Sequence, residues 1–459
     1  MSNAAQTLRN RSREQVRNNP WASKAIGVIV SNTVGHGIRG KILSRSSRRS
    51  ENVQTFWTAW AESTLCDATG RHNLYGLQNL VLRTVAESGE CLVVQEIVPS
   101  QTIPIALRVL EPDHLDVSKD AYQVNGNRVI DGIEFSPAGK PVAYYIFPDH
   151  PGDRVQFRDN YRDSVRVPAD KVAHIFRQDR PGQIRGVPWG ASIMLRLKDL
   201  DDYEDAQLVR QKIAACFTAF VTDIDGSATT GQQTAISDRI EPGSIEILPP
   251  GRSIQMANPP PTQGYSEYMK TMLHSIASGY GITYESLTGD LSQVNFSSAR
   301  MGWLEFQRNI DSWRWMMLIP QMLNPVFGWF QQGLQLKGIE SINFEIDWTA
   351  PRREMIDPGK EIAALRDAIR CGLCSLSEAQ RMLGFDSTKL LAEYKSDFDN
   401  LDALGLVFDC DPRKTTQQGQ VQATEEETPE PDPAEQEADR ALTQALVELS
   451  RGMTGGSSE

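Results

Sequence analysis

The stretch Tyr284 to Arg308, YESLTGDLSQVNFSSARMGWLEFQR, places a short polar loop between two amphipathic helical patterns. Before the loop, apolar residues recur at three- and four-residue steps from Tyr265 to Tyr280, and after it they do so from Trp303 to Met317. That spacing is typical of α-helices with one buried face. The loop, Gly289 to Ser298, contains one Asp and is followed by Arg300 as the first basic residue. A polar loop held between two packed helices is a common place for a functional contact.

Composition places most of the chain in globular domains. At 459 residues with 40% hydrophobic content, the chain is long enough for two or three domains. The net charge of −12 is uneven, because residues 1–50 carry ten basic residues and one acid, a net of +9, which leaves −21 for the remainder. An acidic body excludes a protein that coats nucleic acid through overall positive charge. The basic arm of residues 1–50 either binds nucleic acid or an acidic partner, or is solvated and partly disordered. Within it, residues 1–20 are predicted to be a polar arm.

Cysteine usage and hydropathy indicate a soluble protein made in a reducing compartment. The six cysteines are scattered, which is untypical of a disulfide framework. The N-terminus is polar and lacks the apolar segment of a signal peptide. The most apolar window, Trp315 to Phe330, contains prolines and is too short to span a bilayer, so we expect no membrane partner.

The first half of the chain has the pattern of an α+β domain. Helices are predicted at three places: 21–34, 53–62 and 73–88. Strands separated by turn signals are predicted between Cys91 and Arg177: CLVVQEI, PIALRVLE, RVIDGIEF, PVAYYIF and KVAHIFR.

The second half is predicted to contain long helices with a small β insert. One helix runs from Trp189 to Phe220, and a hairpin of SIEIL and RSIQM separates it from the helix that precedes the polar loop. The helix after the loop, from Ser298, is expected to break or kink at Pro320 and Pro325.

The C-terminal part begins with a strand at Ile342 to Trp348. Helices are predicted over 357–411, with Ser375 and Glu378 forming a capping box. Residues 413–437 are too polar to form a core and are expected to be disordered, and 438–449 has the pattern of a short helix.

Two motifs resemble nucleotide or metal sites but are incomplete. Gly35 to Lys41 matches GxxxxGK, but Ile42 replaces the Ser or Thr that binds Mg²⁺, and a Gly-rich turn is the better interpretation. Cys371 and Cys374 have zinc-ligand spacing, but a second ligand pair is lacking. Gly372 between them fits the C-cap of a helix. The sequence therefore predicts neither a metal nor a cofactor.

Two further patterns point weakly to DNA chemistry. Asp113, Asp116 and Lys119 approach a nuclease pattern with one residue too many, and a surface turn is favoured. Residues 376–390 resemble the start of a helix-turn-helix, but the second helix lacks base-reading side chains, which favours an ordinary helical hairpin. No motif in the chain supports catalysis.

The order of longer motifs resembles the portal proteins, or head–tail connectors, of lambda-type tailed bacteriophages. The resemblance runs from about Arg17 to Asp411. It rests on RNNPWASKAIGVIVSNTVGHGI, LVLRTVAESGECLV, RPGQIRGVPWGASIMLRLKDLDDYEDAQLVRQKIAACF, EPGSIEILPPG and YESLTGDLSQVNFSSAR.

The resemblance implies the portal fold, an α+β ring-forming architecture. Carried onto this chain it gives nine regions: 1–50 as a basic N-terminal arm with the first helix, 51–189 with 336–356 as the wing, 190–221 as a stem helix, 222–262 as the clip, 263–283 as the second stem helix, 284–297 as the tunnel loop, 298–335 as the long wing helix, 357–411 as the crown, and 412–459 as an acidic, largely disordered tail.

The same resemblance implies a function without catalysis. A ring, usually of twelve copies, would occupy one capsid vertex as the channel for genome packaging and DNA ejection. Its partners would be double-stranded DNA, the terminase large subunit, the head-completion or tail-joining proteins, the major capsid protein and the scaffold. The protein would reside in the virion, and in the host cytoplasm during assembly.

Candidate site residues follow from the implied channel and clip. Phosphates would meet the sparse cations Lys270 and Arg300. The loop's polar side chains would hydrogen-bond DNA transiently, although Ser297 or Ser298 equally fits a helix cap. The polar set is Ser292, Gln293, Asn295, Ser297 and Ser298. The clip would meet its partners through Ile245, Ile247, Pro249, Pro250 and Ile254.

Two alternatives remain open at this stage. One is a DNA-processing nuclease or NTPase, suggested by the incomplete GxxxxGK motif and by the pattern of Asp113, Asp116 and Lys119. The other is a capsid adaptor that forms no ring.

Overall fold

The computed structural model describes residues 2–44, 46–123, 125–152, 163–215, 219–223, 252–256, 264–292, 294–339, 344–351, 355, 357–385, 387–406, 408 and 413. The chain divides into two compact units, Met1–Phe385 and Asp386–Glu459. The first unit mixes helices with antiparallel sheets, which confirms the predicted α+β class. No helix among the described residues is long and apolar enough to cross a bilayer.

The N-terminal segment is helical, so the prediction of a polar arm at 1–20 was wrong. Helix α1, Ser2–Asn18, leads directly into α2, Pro20–Thr33. Asn19 joins them, and its side-chain oxygen accepts hydrogen bonds from the amides of the first turn of α2, where Pro20 occupies a favourable position. Helix α1 is mostly polar, but it buries Arg9 and Val16 against the rest of the unit.

Two antiparallel sheets form the body of the first unit. Their strands are β2 (Glu90–Ile97), β3 (Ile105–Leu110), β4 (Ala121–Tyr122), β5 (Arg128–Ile130), β6 (Ile133–Phe135), β7 (Pro141–Ile146), β8 (Val165–Pro168) and β9 (Val172–Phe176). One sheet has three strands in the order β3-β2-β9, and the other has five in the sequential order β4 to β8. The helices before them are α3 (Ser47–Glu62) and α4 (Leu74–Ser88).

The predicted strands are present, with one correction. RVIDGIEF forms the two strands β5 and β6 rather than one, because Asp131 and Gly132 adopt positive φ and reverse the chain. The short strands β4 and β8 were not predicted. Neither was β1, Arg39–Leu43, which pairs with β12, Glu345–Thr349, about 300 residues later.

Two helices and a strand pair follow the sheets. Helix α5, Met194–Ala215, packs on α6, Tyr265–Tyr280, where Tyr203 contacts Tyr265 and Tyr268 at ring-centroid distances of 5.9 and 4.3 Å. Helix α5 ends before Phe220, contrary to the prediction. Ala219–Asp223 instead forms β10, which pairs with β11, Arg252–Met256. Of the predicted hairpin, RSIQM is the strand β11, and SIEIL lies outside the described residues.

The region after the polar loop is one long helical run whose middle turns are wider. Helix α7, Tyr284–Thr288, precedes the loop, and α8, Phe296–Ser312, follows it. A π-helical segment, Trp313–Leu323, then leads into α9, Asn324–Leu336. The helix does not break at Pro320 or Pro325, because Pro320, which has no N–H, lies inside the wider turns and Pro325 lies in the first turn of α9. A kink at either proline, the other expected outcome, stays a prediction.

An aromatic cluster joins elements of the first unit that lie far apart in the sequence. Trp57 of α3 meets Phe327 and Phe330 of α9 at 5.6 and 5.0 Å with near-perpendicular rings, and it meets Trp348 of β12 at 6.1 Å. Edge-to-face pairs of this kind stabilise beyond their buried area. The cluster therefore fixes the long helical run against the N-terminal helices.

Helices dominate the C-terminal region. Helix α10, Pro358–Arg370, ends before Gly372 at φ +72°, and α11, Leu376–Met382, starts at Ser375, whose hydroxyl accepts from the Glu378 amide. The second unit contributes α12, Ser387–Leu404. The predicted tail and its short helix lie outside the described residues, except for Arg413, which pairs with Asp402.

Replacing Trp57 by alanine tests the aromatic cluster. We expect the substitution to lower the free energy of unfolding by about 3–5 kcal/mol, because it leaves a cavity between α3, α9 and β12. Urea denaturation of the full chain measures the change. Phe56→Ala, at the exposed neighbouring position of the same helix, is the matched control. A comparable loss in both variants contradicts the role of the cluster.

Candidate functional site

The polar loop between α7 and α8 is anchored at its first end by α6 and α7. Gly281 ends α6 in the left-handed conformation, and its carbonyl accepts a hydrogen bond from Asn309 of α8 at 3.0 Å. Thr283 caps α7, and Tyr284 stacks on His274 of α6 at 4.1 Å. Gly289, at φ +73°, then turns the chain out of α7. The loop therefore starts from a fixed point.

Asp290 organises the first half of the loop. Its Oδ1 accepts the Ser292 amide at 3.0 Å, and the Tyr284 hydroxyl donates to Oδ2 at 3.4 Å. The hydrogen bonds from Ser292 hold the pKa of Asp290 below its usual range, and the more distant Lys270 ammonium adds a weaker effect. Asp290 therefore stays ionised, and the described loop carries a negative charge.

The second half of the loop is a helix cap. The side-chain oxygen of Asn295 accepts the Ser298 amide at 2.9 Å, and the Asn295 amide donates to the Ser298 hydroxyl at 3.2 Å. This reciprocal pair is a capping box, which satisfies the first free amides of α8. The cap residue is thus Asn295 rather than Ser297 or Ser298.

The described candidate channel residues lie along one stretch of α6, loop and α8. Ser292 is exposed, Lys270 is half-buried on α6, and Arg300 is exposed on the first turns of α8. Asn295 and Ser298 are exposed but bonded to each other. Gln293 lies outside the described residues, as does the side chain of Ser297. That these groups face a channel stays a prediction.

The candidate clip residues are largely outside the described part of the chain. Ile245, Ile247, Pro249 and Pro250 all fall between the described ranges. Ile254 lies in β11, where it is paired with Val221 of β10.

The incomplete enzymatic motifs have structural explanations. Lys41 lies on β1 rather than at the start of a helix, so GxxxxGK does not form a phosphate-binding loop. Asp113 is held by Arg9 and Arg13, at 3.4 and 2.5 Å. The carboxylate of Asp116 accepts from the hydroxyl of Ser118 in a local turn, at 2.5 Å, and from the hydroxyl of the distant Ser164, at 2.6 Å.

Neither of two possible metal-ligand groups offers a convincing site. Cys371 and Cys374 are free thiols, and no metal-competent group of described residues includes them. Glu111, Asp113 and His150 approach one another, but the Arg13 guanidinium lies between the two carboxylates at 2.7 and 2.5 Å. The arginine thus already supplies their counter-charge.

A buried ionic cluster around Glu90 was not predicted from the sequence. The fully buried carboxylate accepts from Arg185 at 2.6 Å, from the Gly186 amide at 2.8 Å and lies 3.0 Å from His174 Nε2. Arg9 of α1 lies 3.8 Å from it. Burial alone would raise the pKa of Glu90, but Arg185 and His174 outweigh burial and hold that pKa far below its usual range.

The cluster controls how the chain enters α5. Gly186 approaches Gly89 so closely that a Cβ at Gly186 would lie 2.1 Å from the Gly89 carbonyl oxygen. Val187 and Pro188 then lead to a 3₁₀ turn that starts at Trp189. The available sequence signal was a charged residue, Glu90, directly before the apolar run Cys91 to Val94.

Comparison with known proteins now identifies the family. The family described as "Phage portal protein, lambda family" matches residues 1–314, well over half of the chain. The chain belongs to the lambda family of phage portal proteins. Membership confirms the resemblance expected from the sequence, and with it a portal function at the capsid vertex.

Individual relatives agree with this family. The "Probable portal protein" of Halomonas phage phiHAP-1 is 28% identical over 425 residues, covering 87% of this chain and 82% of the relative. "Portal protein B" of Escherichia phage lambda is 22% identical, covering 91% of this chain and 88% of the relative. Among solved structures, a chain of "Neck of native GTA particle computed with C12 symmetry" is similar in fold, with a TM-score of 0.50 and 14% identity over 83% of this chain and 93% of that chain.

Glu90→Gln tests the buried cluster in this portal protein. We expect a loss of about 3–5 kcal/mol at neutral pH, because the buried arginines lose their counter-charge. The folded-state pKa of Glu90 is depressed, so its contribution is present above the unfolded pKa of about 4.3 and fades as pH falls below it. The free energy of unfolding of the Glu90→Gln variant should therefore fall less steeply than that of the wild type as the pH is lowered.

Urea denaturation from about pH 3 to about pH 7, roughly the range over which carboxyl groups titrate, measures both effects. Glu96→Gln is the control, since Glu96 pairs with Arg108 near the surface and should contribute roughly 0–1 kcal/mol. An unchanged pH slope in Glu90→Gln contradicts the assignment.

Asn295→Ala tests the loop cap. Loss of the cap should cost about 1 kcal/mol, which corresponds to roughly fivefold faster hydrogen exchange in the first turn of α8. Asn295→Asp should retain protection because a carboxylate caps equally well. Ser292→Ala, outside the cap, is the control, and equal protection in all variants contradicts the capping role.

Proposed function

We propose that the protein forms a homo-oligomeric ring at one vertex of a phage capsid and conducts double-stranded DNA during packaging and ejection. Family membership supports the ring and the vertex. The similar neck structure has twelve-fold symmetry in its own particle, which favours twelve copies. The proposed function needs no catalytic group.

The proposed anatomy follows the predicted regions, adjusted to the observed elements. The two sheets with α3 and α4 would form the wing, and α5 and α6 the stem. The strand pair β10–β11 would be the base of the clip, which meets terminase and later the head-completion proteins. The loop between α7 and α8 would be the tunnel loop, the run α8 to α9 the long wing helix, and α10 to α12 the crown.

The DNA-conducting role is supported mainly by the polar composition of the loop between α7 and α8. Its described residues present exposed hydroxyl and amide groups and the partly exposed carboxylate of Asp290, and no Lys or Arg lies between Gly289 and Ser298. Each phosphate contact by a cation would strengthen DNA binding through counterion release. A channel must instead let DNA slide, so a neutral or acidic loop held in a fixed shape suits weak and sequence-independent contact.

The first test is the assembled full chain. Negative-stain and cryo-electron microscopy should show rings with a central hole, in which residues 289–295 lie nearest the axis. Uniformly small particles would contradict the ring, and a loop remote from the axis would contradict the tunnel-loop assignment alone.

A cation placed in the loop tests its chemistry. In Ser292→Arg rings we expect tighter binding of linear duplex DNA with a steeper salt dependence, by a slope of about −0.9 for each added phosphate contact, and slower packaging. Ser100→Arg adds the same charge at an exposed turn outside the loop. An equal effect of both variants would attribute it to net charge rather than to the loop.

A further inference from the structure

Helix α8 and the π-helical segment expose an apolar face opposite to their buried one. The core-facing side holds Phe306 and Ile310, which are almost fully buried. The other side, here called the α8 face, is Met301, Leu304, Arg308, Trp315 and Met316. Met301, Leu304 and Arg308 recur at steps of three and four residues and so share one side of α8, and Trp315 and Met316 are exposed in the π-helical segment that continues the helix. Met301 is 70% exposed and Trp315 50% exposed, which is a large apolar area for a helix packed on a core.

Helix α5 exposes a second face of opposite charge. Its members recur at steps of three and four residues and are all exposed; they form the α5 face: Leu195, Asp199, Asp202, Ala206 and Val209. Leu195 is 74% exposed and Val209 53% exposed. The face is therefore apolar at both ends and acidic in the middle.

The α5 face lies in an acidic stretch of the helix. Residues 199–205 include five acids and no base. Burial and the neighbouring carboxylates Asp202 and Asp205 raise the pKa of Asp201. Among the described residues, neither Asp199 nor Asp202 forms an ion pair. Like charges spaced along a helix destabilise it, so an added cation would be stabilising.

The α8 face offers that cation. Arg308 lies one turn after Leu304 on the exposed side of α8, and within the described part of the chain it makes no ion pair. The charge beside each face is opposite to the charge on it: Glu305 adjoins the α8 face, and Lys198 adjoins the α5 face. The two faces therefore match in apolar content and in charge.

We propose that the α8 face of one copy packs on the α5 face of the next copy, with Arg308 against Asp199 and Asp202. This inference rests on the proposed ring and specifies one of its subunit contacts. Two different faces of one chain form a heterologous contact, and repetition of such a contact closes a ring when the rotation permits. Apolar ends around a central charge pair also resemble the anatomy of specific interfaces.

Charge reversal on each face tests the contact. The first variant carries Arg308→Glu, and the second carries Asp199→Arg with Asp202→Arg. Each is expected to raise the full-chain concentration for half-maximal ring formation by at least about tenfold, because like charges then meet at every subunit contact. Mass photometry over a concentration series, with negative-stain images, measures ring formation.

An equimolar mixture of the two variants is the decisive arm. In a ring of alternating variants, one contact places the introduced glutamate opposite the introduced arginines. The next contact places the native Arg308 opposite the native aspartates. The concentration for half-maximal ring formation should therefore return to near the wild-type value. Rescue only when all three substitutions are in one chain would indicate a contact within a single copy and overturn the proposal. Equal assembly of wild type and both variants would also overturn it.

Two control variants and the wild type distinguish failure of the proposed contact from failure of the proposed ring. Arg11→Glu and Asp149→Arg change exposed charges outside both faces and should assemble as wild type. If they impair assembly equally, the two faces have no special role and the proposal fails. If wild type forms no rings, the proposed function itself fails, and this contact fails with it. Rings of wild type with unaffected variants would remove this contact only.

Discussion

The buried carboxylate of Glu90 holds together three segments on which the rest of the first unit is built. An ionised group without water is costly unless it is paired and hydrogen-bonded. Here the compensation comes from three separate segments: Arg9 of the first helix, His174 of β9, and Arg185 with the Gly186 amide in the connection to α5. The carboxylate cannot be satisfied unless all three segments are in place, so it specifies their arrangement more strongly than an apolar contact of the same size would.

The consequences extend from this cluster to the candidate site. Arg185 and Gly186 fix the chain just before Trp189, whose ring packs on Trp313 at 4.8 Å. Trp313 starts the π-helical segment that continues α8. The polar loop is fixed to the same body through Asn309 and the end of α6. A continuous set of contacts therefore links the connection before α5 to the helix that follows the loop.

Local patterns predicted much of this architecture, and long-range contacts account for the differences. Apolar spacing was enough for α2, α4, α6 and α8, and alternation with turn residues was enough for β2, β3, β7 and β9. Helix α1 was missed because its stability comes from ion pairs of Arg9 and Arg13 with residues 98 to 104 positions away. Strand β1 was missed because its partner lies about 300 residues later. The π-helical segment was missed because a proline in a helical pattern normally predicts an end.

For the candidate loop too, some features could be predicted from the sequence and others required the structure. Its polar composition and its place between two helices were readable from the sequence, whereas the assignment of Asn295 as the cap required the geometry of Ser298. The capping box uses two of the loop's polar side chains for structure, which leaves fewer groups for the proposed contact with DNA. Asp290 is likewise committed to the turn at Ser292. A loop whose polar groups bond mainly to each other keeps its shape while offering only weak contacts, and that is the property a sliding duplex requires. In the proposed channel, the fixed shape of the loop and its weak contact with DNA would therefore have one physical origin.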